Sequence, residues 1–194
     1  PDLSKIRTVP VAGRSNKVEP AFLAHPPAGD RSFRAFLDSL PDVLAARDLR
    51  TTADAIVSAA RAKRGVVLLL GGHVIKVGLG PLVADWIRRG IVTHIAMNGA
   101  AAIHDFELAA FGGTSEDVAA GLGDGTFGMA EETGREMNAA ISAAARDHRG
   151  MGEGLALYLS ARPERPGDEV SVLLACHRQG TPVTVHTAVG AEII

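Results

Sequence analysis

Residues 64–109 decide the fold, and they read R-G-V-V-L-L-L-G-G-H-V-I-K-V-G-L-G-P-L-V-A-D-W-I-R-R-G-I-V-T-H-I-A-M-N-G-A-A-A-I-H-D-F-E-L-A. The unbroken apolar run Val66–Leu70 is typical of a strand that is buried on both faces. Pro81 predicts the start of a helix that ends near Gly90, because proline suits the first helical turn and glycine the end. Ile91–Met97 predicts a second strand, and a further helix follows it.

A strand–helix–strand unit of this size is expected to be parallel and right-handed. The carboxyl ends of its strands then lie side by side, where open α/β sheets bind their ligands. The polar and glycine residues that follow these two strands are therefore expected near one crevice. They are Gly71, Gly72, His73, Lys76, Asn98, Gly99, His104 and Asp105.

The remaining chain continues the alternation of helices and strands. Residues 114–117, Thr-Ser-Glu-Asp, indicate the start of a helix. The glycine-rich residues 121–128 form either an ordinary connection or a loop that folds over the crevice. Further helices are predicted over 31–40, 51–63, 130–148 and 150–160, and another begins at Asp168 or Ser171 and ends at Gln179. A third strand is predicted over 181–186. The pattern predicts the α/β class, as a doubly wound, mostly parallel sheet with helices on both faces.

The composition bounds the class of protein. The 194 residues are 46% hydrophobic, which is enough for one core. A net charge of −2 gives no basic footprint for nucleic acid, and one cysteine excludes a disulfide framework. No apolar run approaches the roughly 18 residues that span a bilayer, and no signal pattern opens the chain. We therefore expect no nucleic-acid or membrane partner and a cytoplasmic location.

Two regions are predicted along the chain. Residues 1–30, rich in proline and charged residues, are expected to form an extended N-terminal arm. Residues 31–194 are expected to form a single α/β domain. The chain begins at Pro1 without a methionine and ends at Ile194 within an apolar pattern, which is compatible with a domain truncated at its C-terminus.

The candidate catalytic residues are His104, Asp105 and Glu107, on the helix after the second strand. Histidine ranks first because imidazole exchanges protons near neutral pH. His104 and Asp105 point about 100° apart on a helix. Ala101, His104, Glu107 and Leu108 share a face.

The glycine turn after the first strand has the context of a phosphate or dinucleotide site, since it precedes a helix. Its spacing is not G-x-G-x-x-G, so a tight packing turn is the open alternative. A lysine beyond it either extends to solvent or faces an anion. The candidate cofactor-binding residues are Gly71, Gly72, His73, Lys76, Asn98 and Gly99.

Three segments resemble the deoxyhypusine synthase family: G-L-G-P-L-V-A-D-W-I-R-R-G at 78–90, N-G-A-A-A-I-H-D-F-E-L-A at 98–109, and T-P-V-T-V-H-T-A-V-G at 181–190. The resemblance covers about two thirds of the chain. It implies a Rossmann-like NAD-binding fold, and a homo-oligomer, dimer or tetramer, with active sites between subunits. It also implies a transferase that oxidises a polyamine with NAD and moves its aminobutyl group to an amine through imines.

By the same resemblance, Gly72, His73, Asn98 and Gly99 lie where the family contacts NAD, and His104 lies at the polyamine end. The family's nucleophilic lysine has no counterpart in this chain. A small amine acceptor therefore stays open beside other substrates.

Two alternatives remain at the level of sequence. One is a metal-dependent hydrolase in which His73, His104 or Asp105, and His186 converge at the ends of strands. The other is a non-catalytic ligand-binding or assembly protein on the same fold.

Overall fold

The computed structural model describes residues 2–26, 29–188 and 190, and the chain divides into the units Pro1–Ala55 and Ile56–Ile194. The first unit contains helix α1 (Phe33–Ser39), and helix α2 (Leu44–Arg61) contains the boundary. Three short 3-10 turns precede α1, at Leu3–Lys5, Val11–Gly13 and Pro20–Phe22.

Arg50 closes the end of α1 within the first unit. Its guanidinium donates hydrogen bonds to the carbonyl oxygens of Leu37, Leu40 and Pro41 at 3.0, 3.1 and 2.9 Å. Carbonyl groups at a helix C-terminus lack hydrogen-bond donors inside the helix, and Arg50 provides those donors here.

The second unit is built around a three-stranded sheet of order β1-β2-β3 in which both strand pairs are parallel. This confirms the predicted parallel α/β class. Its elements are β1 (Val67–Leu70), α3 (Gly72–Lys76), α4 (Gly80–Arg88), β2 (His94–Asn98), α5 (Gly99–Phe111), α6 (Val118–Asp124), α7 (Glu131–Arg146), α8 (Met151–Ala161), α9 (Val172–Gln179) and β3 (Val183–His186).

The sheet is buried on one face within the described residues. Leu70 is 7% exposed and packs in the core with Met97, whereas Val67 and Leu69, on the other face of β1, are 57% and 75% exposed. The prediction that β1 is buried on both faces is therefore wrong. An unbroken apolar run carries no alternation, so it does not distinguish one buried face from two.

Helix α5 lies in the middle of the second unit and is buried nearly all round. Asn98 caps its start by accepting a hydrogen bond from the Ala101 N–H at 2.9 Å, and Gly112 ends it in the left-handed conformation, with φ of 79°. Its buried apolar residues are Ala101, Ala102, Ile103, Phe106, Ala109 and Ala110.

Helices α7 and α8 cross very closely where Gly154 faces Ala144. A Cβ atom built on Gly154 would overlap the Cβ of Ala144. Only glycine fits this crossing, because any side chain would push the two helices apart.

None of the helices formed by residues 2–26, 29–188 and 190 has the length and hydropathy that crossing a membrane requires.

Candidate functional site

A pocket of about 710 Å³ lies within the second unit. Lys76 on α3, His104 and Glu107 on α5, Thr114 on the following loop and Thr133 on α7 all line it. α3 follows the carboxyl end of β1 and α5 follows that of β2. The pocket is thus formed by the segments that leave the sheet at the edge where the sequence predicted a crevice.

The polar side chains of this pocket are joined in a chain of hydrogen bonds. The His104 Nδ1 lies 2.7 Å from the Thr114 Oγ1, and the Thr114 hydroxyl donates to Glu107 Oε2. The Thr133 hydroxyl donates to the other oxygen, Glu107 Oε1, at 2.9 Å. Glu107 is therefore held by two threonine hydroxyls, one of which also contacts the imidazole.

One ring nitrogen of His104 contacts Thr114, and the other has no hydrogen-bond partner among the described residues. Its side chain is 19% exposed, and Nδ1 is the ring nitrogen that contacts Thr114. No described atom bonds Nε2, and no described buried side-chain nitrogen lacks a partner, so Nε2 is accessible to solvent. The arrangement can accept or deliver a proton at Nε2.

Burial lowers the pKa of His104 below its ordinary value of 6.5. The charge of Glu107 opposes this by raising the pKa, while the electrostatic effects of Lys76 and His73 lower it further. The neutral imidazole, which is the form that acts as a base, is therefore favoured at neutral pH.

Carboxylates outnumber cations around the pocket. Glu107, Glu116 and Glu132 line it against the single ammonium of Lys76, among the described lining residues. Such a site attracts a cation and repels an anion.

Two aromatic rings add an apolar wall to the pocket. Phe111 and Phe127 both line it, and the Arg162 guanidinium lies 5.3 Å from the centre of the Phe111 ring. Aromatic faces attract ammonium groups and also accommodate the alkyl stem of an amine. Phe127 belongs to residues 121–128, so part of the glycine-rich segment does reach the pocket.

Asp105 is not part of this pocket, although the sequence grouped it with His104. It is fully buried and accepts hydrogen bonds from the Ser171 hydroxyl and from the backbone N–H groups of Val172 and Leu173, at 2.7, 2.8 and 2.9 Å. Burial raises the pKa of Asp105, and these bonds oppose that rise. The Asp105 side chain therefore anchors the start of α9. It points about 100° away from the His104 side chain around the axis of α5.

The predicted cofactor residues lie close together but, apart from Lys76, do not line the pocket. A Cβ atom built on Gly71 would lie 3.5 Å from the Asn98 side chain, which caps α5. One built on Gly72 would lie 3.0 Å from His104 Cδ2. His73 is exposed at the start of α3, and Gly99 is the buried first residue of α5.

These residues do not fit a dinucleotide turn. Gly72 is needed for packing against α5, as its nearest neighbours are His104 and Ala100 rather than open space. β2 ends at Asn98, where the fingerprint has an acid for the ribose hydroxyl. The NAD site therefore stays a prediction that rests on the resemblance alone.

The described residues do not assemble the predicted metal site. No group of three or more His, Cys, Asp and Glu side chains among them is placed to hold a metal ion. His186 instead lies on β3, where its Nε2 is 2.9 Å from the Thr184 hydroxyl, and His94 Nε2 is 3.2 Å from the same oxygen. The two histidines thus share a hydroxyl on the sheet.

Sequence reasoning missed the two threonines of the pocket. The sequence predicts that Thr114 belongs to a helix start, but the cap of α6 is Asp117, whose side chain accepts a hydrogen bond from the Ala120 N–H at 3.2 Å. That leaves Thr114 free of the helix and able to reach α5. Thr133 lies in an alanine-rich helix, and no local pattern distinguishes it.

No protein-family model and no curated protein matches the chain. Among solved structures it is similar to a conserved LOR/SDH protein from Methanococcus maripaludis S2, at 16% identity and a TM-score of 0.48, over 86% of this chain and 44% of that one.

It is also similar to ArgZ, an arginine dihydrolase of cyanobacteria, at 14% identity and a TM-score of 0.46, over 77% of this chain and 20% of that one. The chain spans less than half of the first structure's length and a fifth of the second's. Neither similarity assigns a family or a function to it.

Proposed function

We propose that the pocket binds a primary ammonium group and that Nε2 of His104 removes a proton from it. The observation that carries this proposal is an imidazole whose Nδ1 is bonded and whose Nε2 is free, in a pocket lined by three carboxylates. An amine must lose a proton before its nitrogen can act as a nucleophile. The enzyme would thus act on an amine.

The proton balance is simple. The ammonium R–CH2–NH3+ gives one proton to the neutral Nε2, which leaves a free amine and an imidazolium. Glu107 lies 3.9 Å from the His104 ring and is joined to it through Thr114, so its charge stabilises the imidazolium that forms. The aromatic rings of Phe111 and Phe127 would hold the alkyl part.

This is the amine half of the reaction that the deoxyhypusine synthase resemblance implies. Hydride removal by NAD and transfer of an aminoalkyl group complete that hypothesis, and they rest on the resemblance alone. Hydride removal would need a hydride acceptor, and none of the pocket contacts described here is assigned to one.

Calorimetry with n-butylamine, 1,4-diaminobutane and butyrate tests the charge preference of the pocket. We expect saturable binding of the amines and none of the anion. Glu132→Gln, which removes a lining carboxylate, should weaken amine binding by about 3-fold, a modest loss because the side chain is exposed.

Glu131→Gln is the matched control. Glu131 precedes Glu132 on α7 but pairs with Arg135 at 3.1 Å and does not line the pocket. Butyrate binding as tightly as butylamine, or equal losses in the two variants, would contradict the proposal.

A further inference from the structure

We infer that Thr114 is a positioning residue for His104, because its hydroxyl determines which ring nitrogen carries the proton. The inference deepens the proposed function and rests on it, since a base acting at Nε2 must have its proton on Nδ1. Thr114 lies outside any helix, on the loop between α5 and α6.

The count of protons gives the direction of each bond. A threonine hydroxyl has one proton, and an ionised carboxylate only accepts. The Thr114 proton therefore goes to Glu107 Oε2, and Thr114 Oγ1 accepts from His104 Nδ1 at 2.7 Å. The neutral ring is thereby fixed as the Nδ1–H tautomer with a lone pair on Nε2.

Glu107 does not replace Thr114 in this arrangement. Its Oε2 lies 3.9 Å from His104 Nδ1, which is beyond hydrogen-bond distance. The other carboxylate oxygen is occupied by Thr133 at 2.9 Å, so the carboxylate is held in its position by both helix α7 and the loop. The hydroxyl of Thr114 bridges a gap that the carboxylate does not span.

The bridge links the loop to the base. Gly112 reverses the chain at the end of α5, with φ of 79°, so that Thr114 returns over the helical turn that carries His104 and Glu107. Glu116 on the same loop accepts a hydrogen bond from the Gly128 N–H at 2.8 Å, which fastens this loop to the segment carrying Phe127. The tautomer of His104 consequently depends on the position of a loop that also lines the pocket.

Nitrogen-15 NMR of labelled imidazoles tests the inference in the absence of any substrate. Spectra are taken at a pH where His104 is neutral, and its signal among the seven histidines is identified from its loss in His104→Asn. We expect the Nδ1–H tautomer in the native protein and in Thr114→Ser, which keeps the hydroxyl. In Thr114→Val, which has the same shape without the hydroxyl, we expect the Nε2–H tautomer to become the major form.

Ser115→Ala is the control in the same loop, and it should leave the tautomer unchanged. An Nε2–H tautomer in the native protein would overturn the inference whether or not the variants fold. So would an unchanged tautomer in Thr114→Val.

The two proposals fail separately. Absence of amine binding removes the proposed function but leaves the tautomer result intact. An unchanged tautomer in Thr114→Val removes only the role of Thr114. An Nε2–H tautomer in the native protein removes both that role and the proton removal at Nε2, but it leaves the amine-binding data intact.

Discussion

The carboxylate of Asp105 accepts a hydrogen bond from the hydroxyl of Ser171 at 2.7 Å, across 66 positions of sequence. Ser171 is the cap of α9, and its oxygen also accepts from the Leu174 N–H at 3.1 Å. Two successive backbone N–H groups of α9 point at the same carboxylate. The first N–H groups of a helix have no partner inside the helix, so the oxygens of this buried carboxyl group satisfy donors that would otherwise be unpaired.

Asp105→Asn is expected to lower the free energy of unfolding by about 2–3 kcal/mol, because the amide presents donors to backbone donors in a buried place. Urea denaturation measures the change. Asp117→Asn is the control: Asp117 caps α6 at the surface, where asparagine caps as well, so the loss should stay within about 0.5 kcal/mol. Equal stability of Asp105→Asn and the native protein would show that the start of α9 does not need two acceptor oxygens at this position.

Gly154→Ala should destabilise the protein by about 1–3 kcal/mol, because the added methyl group overlaps Ala144 at the α7–α8 crossing. Gly134→Ala is the matched change on α7, at a helical glycine with no other atom within 4 Å of the added Cβ. It should instead stabilise by about 0.5–1 kcal/mol, since alanine has the higher helix propensity. Thermal denaturation of both variants checks the opposite signs, and an unchanged stability in Gly154→Ala would contradict the packing argument.

The pKa of His104 should lie below 6.5 and should move in opposite directions in two variants. Lys76→Gln removes a cation and should raise the pKa, whereas Glu107→Gln removes an anion and should lower it. Proton NMR titration measures both shifts. A shift of the same sign in the two variants would mean that the charges near the ring are not arranged as described.

The sign of the stability effect follows from the lowered pKa. The folded protein favours the neutral ring, so the contribution of His104 to stability is present above pH 6.5 and is lost as the pH falls through the folded-state pKa. His104→Asn should remove this part of the pH dependence. The base form of the ring likewise persists below pH 6.5 in the folded protein.

The central parallel unit was predictable from sequence because its signals are local. Each signal indicates the structure of the residues next to it in sequence; these signals are the apolar runs, Pro81 and the Asn98-Gly99 turn. The structure has β1, α4, β2 and α5 at those segments. Helix α3 was missed because five residues are too few for a helical period to show. The boundaries of β2 shifted for a similar reason, since an apolar run has no marked end.

The candidate site was predictable only in part. His104 and Glu107 share a helical face, and that periodicity brought them together correctly. Thr114 and Thr133 lie 7 and 26 positions after Glu107, on a loop and on helix α7. No rule of sequence spacing predicts that either residue contacts a side chain of α5. Asp105 was grouped with its neighbour by adjacency, although its partners are residues of α9 that only the folded chain brings near.

Helix α5 carries two residues with different partners at consecutive positions: His104, the proposed base, and Asp105, which anchors α9. A rotation of the helix about its axis, by even a fraction of the 100° between neighbours, would disturb both at once. The orientation of the His104 imidazole therefore depends on the buried contacts of Asp105 with α9, and not only on the residues that line the pocket. We expect substitutions of Ser171 at the start of α9 to make the orientation of His104 less uniform and to slow the proposed proton transfer, although the residues that line the pocket stay unaltered.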